Sequence, residues 1–160
     1  MNDLSRTTGK PEGVELDELD RKILQTYLLD ARVSYRELAL RLGVSTTTVQ
    51  SHTSKLEKAG LIRGYSALLD HEKVGYQLTV ITEVSVAKGK LLELEREVAK
   101  IPQVLAVYDV TGLTDAIVIA KFKNREELSK FTKTLLAMPF TERTNTHIVL
   151  TTVKEDFRLL

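Results

Sequence analysis

Apolar residues begin to recur at helical spacing at Leu16. Leu16, Leu19, Ile23, Leu24, Tyr27 and Leu28 fall on one face of an amphipathic helix. Asp17 is placed to cap its N-terminus, and Asp20 puts a negative charge in the first turn, toward the positive end of the helix dipole. Ser34-Tyr35-Arg36-Glu37 reads as a capping box ahead of the short stripe Leu38, Ala39 and Leu42, and Gly43 suits a left-handed stop. Ser45 opens a third helix, over 45–59, that carries Val49 and Leu56 inward until Gly60. Three helices, the last two joined by a tight glycine turn, predict a helix-turn-helix unit over residues 16–63. Residues 1–15, polar and carrying Gly9, Pro11 and Gly13, read as a flexible tail ahead of it.

After Gly60 the period changes. Leu61–Leu69 is a strand-like run broken by Gly64, and Asp70-His71-Glu72 reads as a turn, so residues 64–76 are expected to be a hinge strand and linker. Strands are then expected over 77–86, 104–111, 116–122 and 144–154. The first two are separated by a helix marked by Leu91, Leu94, Val98 and Ile101 and stopped at Pro102. A second helix, capped at Asn124 and carrying Leu128, Phe131, Leu135 and Met138, precedes the last strand. The order βαββαβ over 77–160 is the ferredoxin-like split motif, which makes the whole chain an α+β protein. Such a sheet has helices on one face only, yet 117–120 and 147–150 are apolar on both faces. A partner subunit is the simplest second layer.

Composition narrows the function classes. The chain of 160 residues contains no cysteine, which excludes a disulfide scaffold, a thiol nucleophile and a cysteine metal site. His52, His71 and His147 are not at metal-ligand spacing, and no metal or cofactor is expected. There is no secretory h-region and no long apolar run, so a cytoplasmic protein is expected. Nor is there a carboxylate pair, a nucleophile–base spacing or a glycine-rich phosphate loop, and an enzyme is not expected.

A net charge of +1 speaks against a nucleic-acid partner only as an average over the chain. Residues 1–30 hold four basic and seven acidic side chains, whereas 31–63 hold six basic and two acidic. The basic stretch coincides with the helix-turn-helix. Its third helix presents Thr46, Thr47, Thr48, Gln50, Ser51, Ser54 and Lys55 after Ser45. Hydroxyls meet phosphates or base edges, the Thr methyl packs on thymine, and Gln pairs with adenine. Ser and Thr each cost roughly 0.5 kcal/mol against Ala in a helix, which a merely polar surface would not require. Thr47, Gln50 and Ser51 are the expected base-edge contacts, and Arg41, Lys55 and Arg63 the expected phosphate contacts, on double-stranded DNA.

These segments together resemble the Lrp/AsnC (feast/famine) family of transcription regulators. The resemblance is carried by Leu16-Asp17-x-x-Asp20-x-x-Ile23-Leu24, Asp30-Ala31-Arg32-x-Ser34, Glu37-Leu38-Ala39, Leu42-Gly43-Val44-Ser45 and Leu56-Glu57-x-x-Gly60-Leu61-Ile62-x-Gly64-Tyr65, with the later Gly75. In the second half it rests on Pro102-x-Val104, Val110-Thr111-Gly112-x-x-Asp115 and Thr144-x-Thr146-x-Ile148-Val149-Leu150. It implies a winged or plain helix-turn-helix domain, a hinge strand, and a domain that dimerises through its sheet, with octamers of four dimers. It also implies an amino-acid effector held between dimers near the Gly-x-x-Asp loop. Gly112 with Thr114 then lets backbone amides approach a carboxylate, Asp115 meets an α-ammonium, and Thr144 and Thr146 add hydroxyls from one strand face. The alternative is that Gly112 only makes a hairpin turn that Asp115 caps.

Two positions depart from the family pattern. His52 stands where the family usually carries Arg, which weakens a phosphate clamp or makes it depend on pH, unless the ring simply has a backbone partner. Pro139-Phe140-Thr141 replaces the more usual Pro-Gly-Val, so that Phe140 fills a dimer interface or narrows the effector pocket. Two other functions fit the same architecture. One is a nucleoid-like protein that compacts DNA without an effector. The other is a haem-pathway decarboxylase, which would need a histidine and basic pocket among aromatic side chains.

Overall fold

The computed structural model describes residues 15–160, so the expected tail over 1–15 lies outside the described residues apart from Glu15. Of the described residues, 15–67 with 156–160 form one compact unit, and Leu68–Glu155 form the other. This division falls within the expected linker over 64–76, and the last five residues group with the first unit.

The first unit holds α1 (Glu18–Leu29), α2 (Tyr35–Leu42) and α3 (Thr46–Lys58). Each begins at a residue whose side-chain oxygen accepts a backbone amide: Asp17 from Asp20, Ser34 from Glu37 and Ser45 from Thr48. Only α1 has the reciprocal bond of a full capping box. At α2 the Glu37 carboxylate turns away from the cap to pair with Arg41 one turn on. Gly43 ends α2 at φ 68°, in the left-handed region a side chain would strain. Ile23, Val33, Leu38, Ala39, Val49 and Leu56 make the core, with Leu16, Leu19, Tyr27 and Ile62 packed around it.

The second unit is β1 (Leu78–Val86), α4 (Leu91–Val98), β2 (Val104–Asp109), β3 (Ala116–Phe122), α5 (Arg125–Ala137) and β4 (Thr141–Ile148). Its sheet has the order β2-β3-β1-β4 with every neighbouring pair antiparallel, as the βαββαβ pattern requires. Val80, Val84, Val118, Ala120 and Phe122 pack beneath Leu94 and Val98 of α4 and Phe131 and Leu135 of α5. Phe140 packs against this same core, so in place of a glycine it extends the domain's own interior. On the other face Ile81 lies opposite Ile119, and Tyr108 opposite Ile117. Ile81 is 37% exposed and Tyr108 45%.

Two expected strands change. No strand forms over Leu61–Leu69, and residues 63–69 are exposed without regular structure, because a strand needs a ladder partner and the unit offers none there. β4 starts and stops earlier than expected over 144–154. Thr141 pairs with Val86 across a bulge, and the last ladder bond is the Val149 amide to the Thr79 carbonyl, where β1 runs out. The following segment is held instead by the buried Lys121, whose ammonium meets Glu155 at 2.7 Å.

Candidate functional site

The DNA-facing surface expected from the sequence is assembled on α3. Thr46, Thr47, Gln50, Ser51 and Lys55 are exposed, and Thr48, His52 and Ser54 are half-buried along its flanks. Ser45 is more than a cap. Its hydroxyl lies 2.7 Å from that of Thr47 and 2.8 Å from that of Thr48, so three hydroxyls form one cluster at the helix N-terminus. Gln50 and Ser51 carry no protein partner among the described residues and remain free to read a ligand. Of the three expected phosphate contacts, Arg63 is exposed and without an ion pair among the described residues, whereas Arg41 is paired with Glu37 and Lys55 with Asp20.

Asp20 does more than the sequence reading gave it. It does lie in the first turn of α1, but its side chain is fully buried and points at α3. One carboxylate oxygen accepts from Lys55 Nζ at 2.6 Å, and the other lies 2.8 Å from His52 Nδ1. The partner of His52 is thus this carboxylate rather than the backbone. Burial pushes Asp20 toward the neutral acid, but the hydrogen bonds from Lys55 and His52 prevail and hold it below its ordinary value of 3.8. The bond to Asp20 likewise holds Lys55 above its ordinary 10.5. A lowered acid stabilises the fold above its unfolded value, and that stability is lost as pH falls below 3.8 through the folded value. For the raised lysine the stability is present below 10.5 and is lost as pH rises through the higher folded value. The tie between α1 and α3 therefore spans the whole physiological range.

In the second unit the loop between β2 and β3 is pinned to β1. The Thr114 hydroxyl donates to the Val84 carbonyl at 2.8 Å, the Asp115 amide donates to the same carbonyl, and the Val86 amide donates to Asp115 Oδ2 at 2.8 Å. These bonds leave Gly112 at the exposed tip with φ 129° and open space where a Cβ would point. Asp115 is the cap of this turn, with its Oδ1 unpartnered among the described residues. Thr144 pairs with Val84 from the other side, so the loop and Thr144 flank the same end of β1. Thr146 lies deeper. Its hydroxyl bonds that of the fully buried Thr82, on the helix-covered face.

A short polar helix with three clustered N-terminal hydroxyls and flanking cations, set on a three-helix core and followed by a βαββαβ domain, defines a helix-turn-helix transcriptional regulator. Residues 16–63 match the family model described as winged helix-turn-helix DNA-binding, and residues 79–159 match that of the Lrp/AsnC ligand binding domain. The chain belongs to the Lrp/AsnC family. It is 49% identical over 144 residues to an uncharacterized HTH-type transcriptional regulator of Pyrococcus abyssi, covering 90% of this chain and 98% of that one. It is 36% identical over 146 residues to the HTH-type transcriptional regulator FL11 of Pyrococcus horikoshii, covering 91% and 97%. Among solved structures, a transcriptional regulator of Neisseria meningitidis in complex with L-Met superposes with a TM-score of 0.85 at 32% identity, covering 91% of this chain and 97% of that one. Relatives named as regulators set aside the haem-pathway enzyme. No described helix is long and apolar enough to cross a membrane.

Proposed function

We propose that this protein is a sequence-specific, cytoplasmic DNA-binding regulator whose affinity is modulated by an amino acid, and that it works as a homodimer that assembles further into an octamer of four dimers. The observation that carries the DNA reading is α3 itself: Thr47, Gln50 and Ser51 stand exposed on one side of it, with Arg63 free for phosphate and Arg41 and Lys55, each exposed but held by a carboxylate, as further cations beside it. Pairing through the Ile81–Ile119 face of the sheet would relate two such helices by a two-fold axis. Selection of bound fragments from random-sequence DNA should then return a two-fold motif, with half-sites about 34–36 Å apart or a multiple of that. A motif without two-fold symmetry would contradict the pairing.

The effector reading is supported by the loop at Gly112 and by the L-Met bound to the Neisseria neighbour. Gly112 offers bare backbone at the loop tip, and Asp115 has one carboxylate oxygen left for an α-ammonium. Thr114 acts through the loop, since its hydroxyl is taken by Val84. Thr144, half-buried opposite Val84, and Thr146 on the same strand face would add hydroxyls at that end of β1. Calorimetric titration with the twenty amino acids should show binding that weakens about tenfold or more in Asp115→Ala, the scale of one lost charge-assisted bond of about 1.5–3 kcal/mol. Equal binding by both proteins would remove Asp115 from the site. The effector acts by binding one assembly of dimers better than another.

A further inference from the structure

The tie between α1 and α3 constrains more than the position of a helix. A carboxylate has no hydrogen to give, so at 2.8 Å from Asp20 it is Nδ1 of His52 that carries the proton and donates. Nε2 is then the ring atom left for a ligand, and it has no protein partner among the described residues. The His52 side chain is 24% exposed, so that atom is not sealed off. In the neutral ring Nε2 offers only a lone pair, which a phosphate oxygen repels. In the imidazolium it is an N–H donor, which a phosphate attracts.

The surrounding charges act in the same direction. Asp17 Oδ2 lies 3.8 Å from Nδ1, beside Asp20, on the cap and first turn of α1. Lys55 faces the cluster from α3, and Glu15, just ahead of α1, acts on Lys55. Three carboxylates stand against one ammonium, so a proton on His52 removes half of the local negative excess on a helix meant to approach phosphates.

We propose that Asp20 is a positioning residue for nucleic-acid binding: by fixing the Nδ1–H tautomer of His52 and anchoring Lys55, it makes the DNA affinity of α3 depend on whether His52 carries a proton. This rests on the reading of α3 as the DNA-contacting helix. DNA binding takes up a proton, and affinity rises as pH falls.

The experiment measures binding of the full chain to a labelled 30-base-pair random-sequence duplex at pH 5.5 and pH 8 at matched ionic strength. Wild type should bind on the order of tenfold tighter at the lower pH, with a salt slope steeper by about 0.9, the contribution of one added phosphate contact. His52→Arg should bind tightly at both values and His52→Gln weakly at both, while His71 and His147 remain to report any unrelated titration. A His52→Gln variant that keeps the wild-type pH dependence would overturn the proposal and leave the DNA reading intact. Failure of every variant to bind at either pH would overturn both. Nitrogen NMR of the free protein gives a readout independent of DNA: the Nδ1–H tautomer is expected for His52, and Nε2–H would overturn the assignment. Asp20→Asn should shift the ring toward Nε2–H. Should that variant not fold, the wild-type tautomer and the two position-52 variants still decide.

Discussion

Ile81→Lys should leave the sheet domain folded but strictly monomeric, and should weaken DNA binding by about two to four orders of magnitude. Ile81 is 37% exposed in the single chain, so a long side chain there meets solvent and the domain core beneath Val80 and Val84 is untouched. In a dimer the same position lies at the centre of the apolar face, opposite Ile119 on β3 and His147 on β4. A lysine there brings a charge and its two-fold copy into the seam beside Ile119, with Glu83 of the same strand face already engaged by His147 and Asn145, at a cost of several kcal/mol. The DNA effect follows from valency. Two helices held on one dimer engage the second half-site at the effective concentration set by the dimer, and a monomer loses that gain of about 10²–10⁴. Sedimentation of the variant, with circular dichroism to confirm its fold, checks the first part, and binding to a two-site duplex checks the second. A variant that sediments like wild type would place the interface elsewhere.

Leu56→Ala should unfold the DNA-binding unit and spare the other. Leu56 is completely buried among Ile23, Leu38 and Val49, and its carbonyl accepts the amides of both Leu61 and Ile62, where α3 ends. Removing a buried leucine side chain costs about 2–5 kcal/mol. A core this small has little reserve against such a loss. The second unit has its own core and shares none of these residues. Calorimetry should show the transition of the first unit lost or shifted down strongly while that of the sheet domain persists, and DNA binding should disappear with dimerisation unchanged. Retention of both transitions would mean that α3 is not held by this core.

The helices were legible because their signals are local. Asp17, Ser34, Ser45 and Asn124 each cap the helix expected after them, and Gly43 makes the expected left-handed stop. The strand limits were not, since they depend on how far a partner extends: β4 ends where β1 ends, and 61–69 lack a partner altogether. Asp20 was missed for a related reason. Its partners lie 32 and 35 residues away, and the dipole alone gave an acid in the first turn a sufficient explanation. A signal was nonetheless present. Asp20 sits four residues after Leu16 and three before Ile23, on the apolar face of α1, and a charge in such a stripe implies a buried partner. The same long-range effect hid the bond of Thr146 to Thr82 on another strand. Phe140 could be recognised as a departure from the family pattern, but only the packing shows it joining the domain core.

The claim at the centre of the account is that α3 reads base sequence. It is tested most directly by competition between the duplex selected by the protein and a scrambled duplex of the same length, at one fixed salt concentration near physiological. A sequence-reading regulator should prefer its own site by about 10³-fold or more, and Gln50→Ala should relax the preference at one base position per half-site by about 1–3 kcal/mol. Equal affinity for the two duplexes, unchanged by Gln50→Ala, would contradict it and leave a protein that packages DNA without reading it.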